Sequence, residues 1–173
     1  MDMTEPGNSA NAGDVFLIPV DSSRGYPGTV VAERNASHYV LVYDQTLPLH
    51  SSGNASSWNF TVDPLFAALT FDARFYHGDW KIIGQPTPEP DRFLPAFCYR
   101  SPEPGGARVS NFTGTTSRSA SPAEIETVPP EIHRSPMLLE RALRAHAGLD
   151  PWYPVFDEIR YTKTPTSAEL FGS

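Results

Sequence analysis

The sequence predicts a mainly β protein of the α+β class, in which a bent antiparallel sheet, or the same strands closed into a small barrel, precedes two C-terminal helices. Three observations carry this expectation. Short runs of strand-forming residues recur through residues 13–99, separated by turn formers. Tyr39, Leu41 and Tyr43 alternate with Val40 and Val42, so that run is apolar on both faces, as a covered strand requires. Helix-start signals gather late, at Ser121-Pro122 and Ser135-Pro136.

Residues 1–12 are polar and small and predict a disordered N-terminus, with order beginning at Gly13-Asp14. Val15–Val20 reads as the first strand, and Pro19 places its end at an edge or bulge. A turn over Asp21–Gly25 leads through Tyr26-Pro27-Gly28 into a strand at Thr29–Ala32. A second turn around Asn35 leads into a third strand, His38–Asp44. Ser51–Ser57 reads as a loop, then Asn59–Val62 as a strand; Phe66–Asp72 could be strand or short helix, since Ala67 and Ala68 favour helix, and is taken as strand because Phe75–Gly84 looks like its partner. Pro86, Pro88, Pro90 and Pro95 mark an extended connection that leads to a last strand of the same sheet over Phe93–Tyr99. Residues 101–120 read as an exposed loop, with a short strand at 107–112.

Helices are expected near 122–128 and 136–147. In the second, Leu139, Ala142, Leu143, His146 and Ala147 recur at helical spacing, and Gly148 supplies the stop. Trp152 and Tyr153 are expected to clamp this helix onto the sheet. The organisation is thus a single β-rich domain over 13–161 and a C-terminal tail over 162–173.

Composition narrows the function. The chain has 173 residues and a net charge of −7, and an acidic surface repels phosphate backbones, so nucleic acid is not an expected partner. The single cysteine, Cys98, excludes an internal disulfide. With no secretory start and no long apolar run, a cytoplasmic protein that does not enter the membrane is expected. The five histidines have no i, i+3 or i+4 pairing, so neither a metal site nor a cofactor is expected. Cys98 lies in an apolar strand-like setting and reads as an inert thiol, and no nucleophile elbow or phosphate-binding loop occurs.

Aromatic residues beside acids are the more informative feature, because protein-binding faces use large aromatics. Trp58, Tyr76 and Trp80 stand near loop signals. The competing reading is that they fill the core or its rim. The candidate partner-binding face is Tyr26, Asp44, Asp72, Tyr76, Asp79 and Trp80.

Several segments, taken in order, resemble immunity protein 26, a family found beside polymorphic toxins in bacteria. Gly13–Val20 is similar to the family's opening strand, and Gly25–Val31 to its second, with Thr29 where a basic residue is more usual. Gly78-Asp79-Trp80-Lys81-Ile82-Ile83-Gly84 and Phe93-Leu94-Pro95-Ala96-Phe97 resemble two further segments, and the helices over 121–147 fit the family's tail. The long 101–120 insert departs from it. The resemblance implies a non-enzymatic immunity protein that binds a cognate protein toxin, a basic nuclease domain for example, and occludes its active site. A second reading rests on the Gly-Asp-Val opening, which is also found in SH3-like-barrel endoribonuclease toxins. Those need a basic groove and an acid–base pair, for which Arg24 is the only candidate near the turn. A generic binding adaptor is the third.

Overall fold

A computed structural model describes residues 9–50, 60–85 and 89–172 of the chain. Two compact units emerge, one from Met1–Pro88 with His133–Tyr161 and one from Glu89–Ile132 with Thr162–Ser173. The expected single domain over 13–161 is thus divided, and the described residues beyond 161 are part of the second unit.

In chain order the elements are β1 (Val15–Pro19), β2 (Arg24–Arg34), β3 (Ser37–Val42), β4 (Leu47–Pro48), β5 (Phe66–Phe71), the helical turn α1 (Ala73–Tyr76) and β6 (Lys81–Gly84). The second unit then supplies α2 (Pro90–Phe93), β7 (Phe97–Tyr99), β8 (Arg108–Ser110), β9 (Ser117–Ser119) and α3 (Pro122–Thr127). The chain returns to the first unit with β10 (His133–Arg134), α4 (Pro136–His146) and a 3-10 helix at Pro154–Ile159. It ends in the second unit with α5 (Ser167–Phe171).

The first unit is a mixed sheet in the order β10-β5-β3-β2-β1-β6, with β4 beside β2. All pairs are antiparallel except β10 with β5. The outer strands β6 and β10 do not pair with each other, so the sheet is open. The α+β class therefore holds, and closure into a barrel does not. Period-two patterning sorts the side chains. Phe16 and Ile18 join a core with Val30, Val40, Phe66 and, from α4, Leu139, Ala142 and Leu143. Val15 and Leu17 point the other way, to Ile83, Leu47 and Phe60.

Several local expectations change. Ala10 is already fully buried, and its carbonyl accepts a hydrogen bond from His38 Nε2 at 3.0 Å, so order precedes Gly13. Residues 1–8 and the expected loop over 51–57 lie outside the described residues. The part of 59–62 that is described is irregular rather than extended. Phe75–Gly84 is not one strand beside β5. It forms α1, ends it at Gly78 with φ 75°, and then runs as β6 along β1. Phe93–Tyr99 does not extend the first sheet: only Phe97–Tyr99 is strand, in a separate sheet ordered β7-β8-β9. Within 101–120 the short strand expected at 107–112 is present as β8, and β9 is a second strand that was not expected.

The two expected helices lie where their caps place them. Ser121 and Glu124 form a reciprocal capping box on α3. Ser135 Oγ accepts from Met137 N–H at 3.3 Å, and Pro136 opens α4. α4 closes on Gly148 at φ 78°, with Leu149 N–H donating to the Arg144 carbonyl and Gly148 N–H to that of Ala145, a Schellman arrangement.

Two predictions follow from these local geometries. The two-residue connection between β2 and β3 places Asn35 at φ 48° and Ala36 at φ 62°. A Cβ in the left-handed region is unfavourable by about 1–2 kcal/mol, part of which glycine returns through its larger unfolded-state entropy. Ala36→Gly should raise stability by about 0.5–1 kcal/mol in urea unfolding, whereas a loss would show that the turn is not left-handed. Glu124 is held down from the ordinary 4.5 to about 2, chiefly by Arg118, which reaches its two oxygens at 2.8 and 2.7 Å. A carboxyl lowered on folding stabilises fully above its unfolded value and loses that contribution as pH falls toward its folded value. The stability difference between the parent and Glu124→Gln should therefore be constant above about pH 5 and shrink between 4.5 and about 2. Amide exchange of α3 in both proteins reads it directly.

Candidate functional site

Trp80 is 2% exposed and Phe75 1%. Trp80 stacks on Phe16 at 5.3 Å and 11°, and Phe75 meets both rings edge-on at 4.9 and 5.3 Å. Trp80 thus anchors the 71–79 segment from beneath and cannot present a face to a partner. Tyr26 is buried as well. Its hydroxyl is pushed up by burial and by the Asp44 carboxylate, against the opposing pull of Arg24. These two of the six expected contact residues belong to the core. Sequence spacing put them near turns but could not show which way their rings pointed.

The acids separate into two places. Asp44 follows β3, and its Oδ1 lies 2.9 Å from His146 Nε2 in the last turn of α4. Asp72 follows β5. Because Ser37 pairs with Phe71 and Val42 with Phe66, Asp44 and Asp72 lie at opposite ends of this strand pair. Five strand steps put those ends roughly 17 Å apart, so Asp44 is not part of one face with Asp72.

What remains together is a small exposed knuckle. Phe71 is 47% exposed and Tyr76 53%, and Asp72 and Asp79 are exposed beside them. Asp72 is the N-cap of α1, but its side chain accepts no capping bond and makes no ion pair among the described residues. Arg74 lies 3.4 Å from Asp79 Oδ2 and, through Nε, 2.5 Å from Glu140 Oε1. The latter contact is close but off the N–H direction, so it is charge attraction more than a directed hydrogen bond. Glu140 thereby balances Arg74 and ties the knuckle to α4. Trp58, also singled out in the sequence, lies outside the described residues.

Two features were not legible in the sequence. Ser37 Oγ lies 2.8 Å from His133 Nδ1, the contact an activated serine makes with its base. Ser37 is fully buried, so no substrate reaches it and the pair instead fastens β10 beside the sheet. The other is an apolar groove of about 440 Å³ along α4, lined by Met137, Leu138, Arg141, Tyr153, Val155 and Phe156. Leu139, Ala142 and Leu143 identified the core face of α4, but nothing in the pattern said that the flank at Met137 and Arg141 would be left open beside Tyr153. Tyr153 is 47% exposed and does not clamp the helix; Trp152 does, stacked on Phe66 at 6.3 Å. Arg24, the basic candidate of the ribonuclease reading, is held by Asp21 at 2.9 Å.

The fold and these surfaces define an α+β protein with an acidic aromatic knuckle and an open groove. No group of three or more His, Cys, Asp or Glu that could hold a metal occurs among the described residues, and no helix among them is long and apolar enough to cross a membrane. No family model, curated protein or solved structure matches the chain.

Burial separates the roles of Tyr76 and Trp80. Trp80→Ala should lower stability by about 3–5 kcal/mol, because it empties a packed aromatic cluster. Tyr76→Ala should change it by less than about 0.5 kcal/mol, as exposed positions do. Equal losses in chemical denaturation would contradict this division of labour.

Proposed function

We propose that the chain is an immunity protein, which binds a cognate protein toxin and occludes its active site, and that the 71–79 knuckle contributes the contact. One observation carries the reading: two half-exposed aromatics, Phe71 and Tyr76, stand beside two exposed carboxylates on a turn whose anchor is fully packed. Such a turn has little conformational freedom left to lose on binding, and large aromatics supply most of the energy at protein interfaces. Asp72 and Asp79 suit a basic surface, such as the substrate groove of a nuclease domain, and would accelerate its capture. The ordered likeness of residues 13–97 to the immunity protein 26 segments supports the same reading, as does a net charge of −7.

The test is co-expression with the product of the adjacent gene, scored for growth. The parent chain should rescue growth. Asp72→Lys with Asp79→Lys should slow association about tenfold or more at low salt, an effect that fades as salt rises. Tyr76→Ala should instead quicken dissociation. Circular dichroism would confirm that the variants fold. Undiminished affinity when Asp72→Lys, Asp79→Lys and Tyr76→Ala are combined would remove the knuckle from the contact, and failure of the parent to rescue growth would remove the immunity reading itself.

A further inference from the structure

The groove along α4 has the makings of a second docking site, independent of the knuckle. We infer that it takes a segment of a partner protein that carries one bulky apolar side chain and, close to it, a carboxylate. Leu138 and the buried Phe156 form its floor. Met137, Tyr153 and Val155 form its walls and are 51%, 47% and 43% exposed. Arg141, one helical turn beyond Met137, stands at its edge.

Wall exposure decides between a small molecule and a polypeptide. Pockets for small ligands enclose most of the ligand surface. Here the walls are half open, so a small molecule would stay largely wet, whereas a chain segment could cover walls and floor together. About 440 Å³ has room for one or two large side chains. Methionine, tyrosine and arginine are also the residue types enriched where proteins meet.

Charge decides the chemistry of the segment. On the 3-10 helix, Asp157 is held by Arg160 at 2.9 Å and Glu158 by Arg134 at 3.1 Å. On α4, Glu140 is held by Arg74 and Arg144 by Asp150 at 2.6 Å. Arg141 lowers the Asp150 carboxyl at longer range, but itself makes no hydrogen bond or ion pair among the described residues. Its guanidinium is the local charge whose close partner is not supplied from within. A segment that covered it without a carboxylate would bury an unpaired cation, and a basic segment would add repulsion. A carboxylate can meet it with two parallel hydrogen bonds. The groove thus selects acidic partners, although the chain as a whole is acidic and the knuckle suits basic ones.

Short synthetic peptides test this, each with a central Leu, Phe or Trp flanked by Glu, by Lys or by Ala, titrated into the full chain and followed by fluorescence anisotropy. The Glu series should bind. Arg141→Glu should weaken it about tenfold or more and shift preference to the Lys series. Met137→Asp should weaken every series. Arg141 and Met137 are exposed, so both variants should keep the parent's circular dichroism and unfolding midpoint. Equal binding of the Glu and Lys series, no binding at millimolar peptide, or indifference to Arg141→Glu would each overturn the inference. So would a concentration-dependent dimer in sedimentation that Met137→Asp dissolves, since the groove would then belong to a second copy of the chain.

Discussion

Phe16 reaches from β1 over β2 into the space that Gly28 leaves by having no side chain. A Cβ at residue 28 would stand 2.6 Å from Phe16 Cζ and 2.8 Å from the Leu41 carbonyl oxygen. The pair faces directly across the β1–β2 ladder, so the ring has nowhere else to go without leaving the core. From that placement the rest follows in steps. Trp80 stacks on Phe16, Phe75 closes the cluster edge-on, and the chain between them is drawn into the helical turn α1. The turn leaves Tyr76, Asp72 and Asp79 outside, and Arg74 carries the connection to Glu140 on α4. A glycine on one strand therefore decides which residues of a distant segment meet solvent. The stacked and edge-on ring pairs each add about 0.5–1.5 kcal/mol beyond their buried area.

The N-terminal arm depends on a comparable economy of polar groups. His38 is buried, and its Nε2 donates to the Ala10 carbonyl at 3.0 Å and to Glu33 Oε1 at 3.1 Å, which places the ring proton on that nitrogen. Gly13 N–H and the Asp14 carbonyl then pair with the backbone of Val30. Buried Asp14 accepts from the Asn11 N–H at 2.7 Å and from Gln85 Nε2 at 3.1 Å, so its carboxylate is satisfied inside the unit. Residues 10–14 are thus ordered by three groups belonging to other elements.

How much of this could be read from the residues depended on the range of the controlling interaction. α3 and α4 were legible because caps and stops act within a few positions: Ser121, Ser135 and Gly148 each specify their own end. β1 and β3 were legible from strand propensity and alternation, whereas β5, balanced between strand and short helix, rested on a supposed partner at Phe75–Gly84 that pairs with β1 instead. A strand over Phe75–Gly84 is what the residues suggest, because Ala73–Tyr76 is too short for a helical period to show, and its conformation answers to Phe16, far away in sequence. Ala10 was missed for the same reason, since its order comes from His38. The candidate site fared likewise. Tyr76, Asp72 and Asp79 stand near turn signals and are exposed, but Trp80 and Tyr26 look the same in sequence and point inward. The groove could not be foreseen, because it is an unfilled space between two elements rather than a pattern in either.

The interleaving of the two units has a consequence for how the chain can be made. The core of the first unit needs Leu139, Leu143, Phe156 and Ile159, and that of the second counts Leu170 and Phe171 among its packed residues. As the polypeptide emerges from the ribosome, the first unit cannot close before Ile159 has been added, nor the second before Phe171. The open edge of β5 and the apolar inner face of the sheet must wait for partners that are still being translated. A chain cut before Thr162 would release the second unit's final contacts, and one cut before Pro136 would leave both cores unfinished.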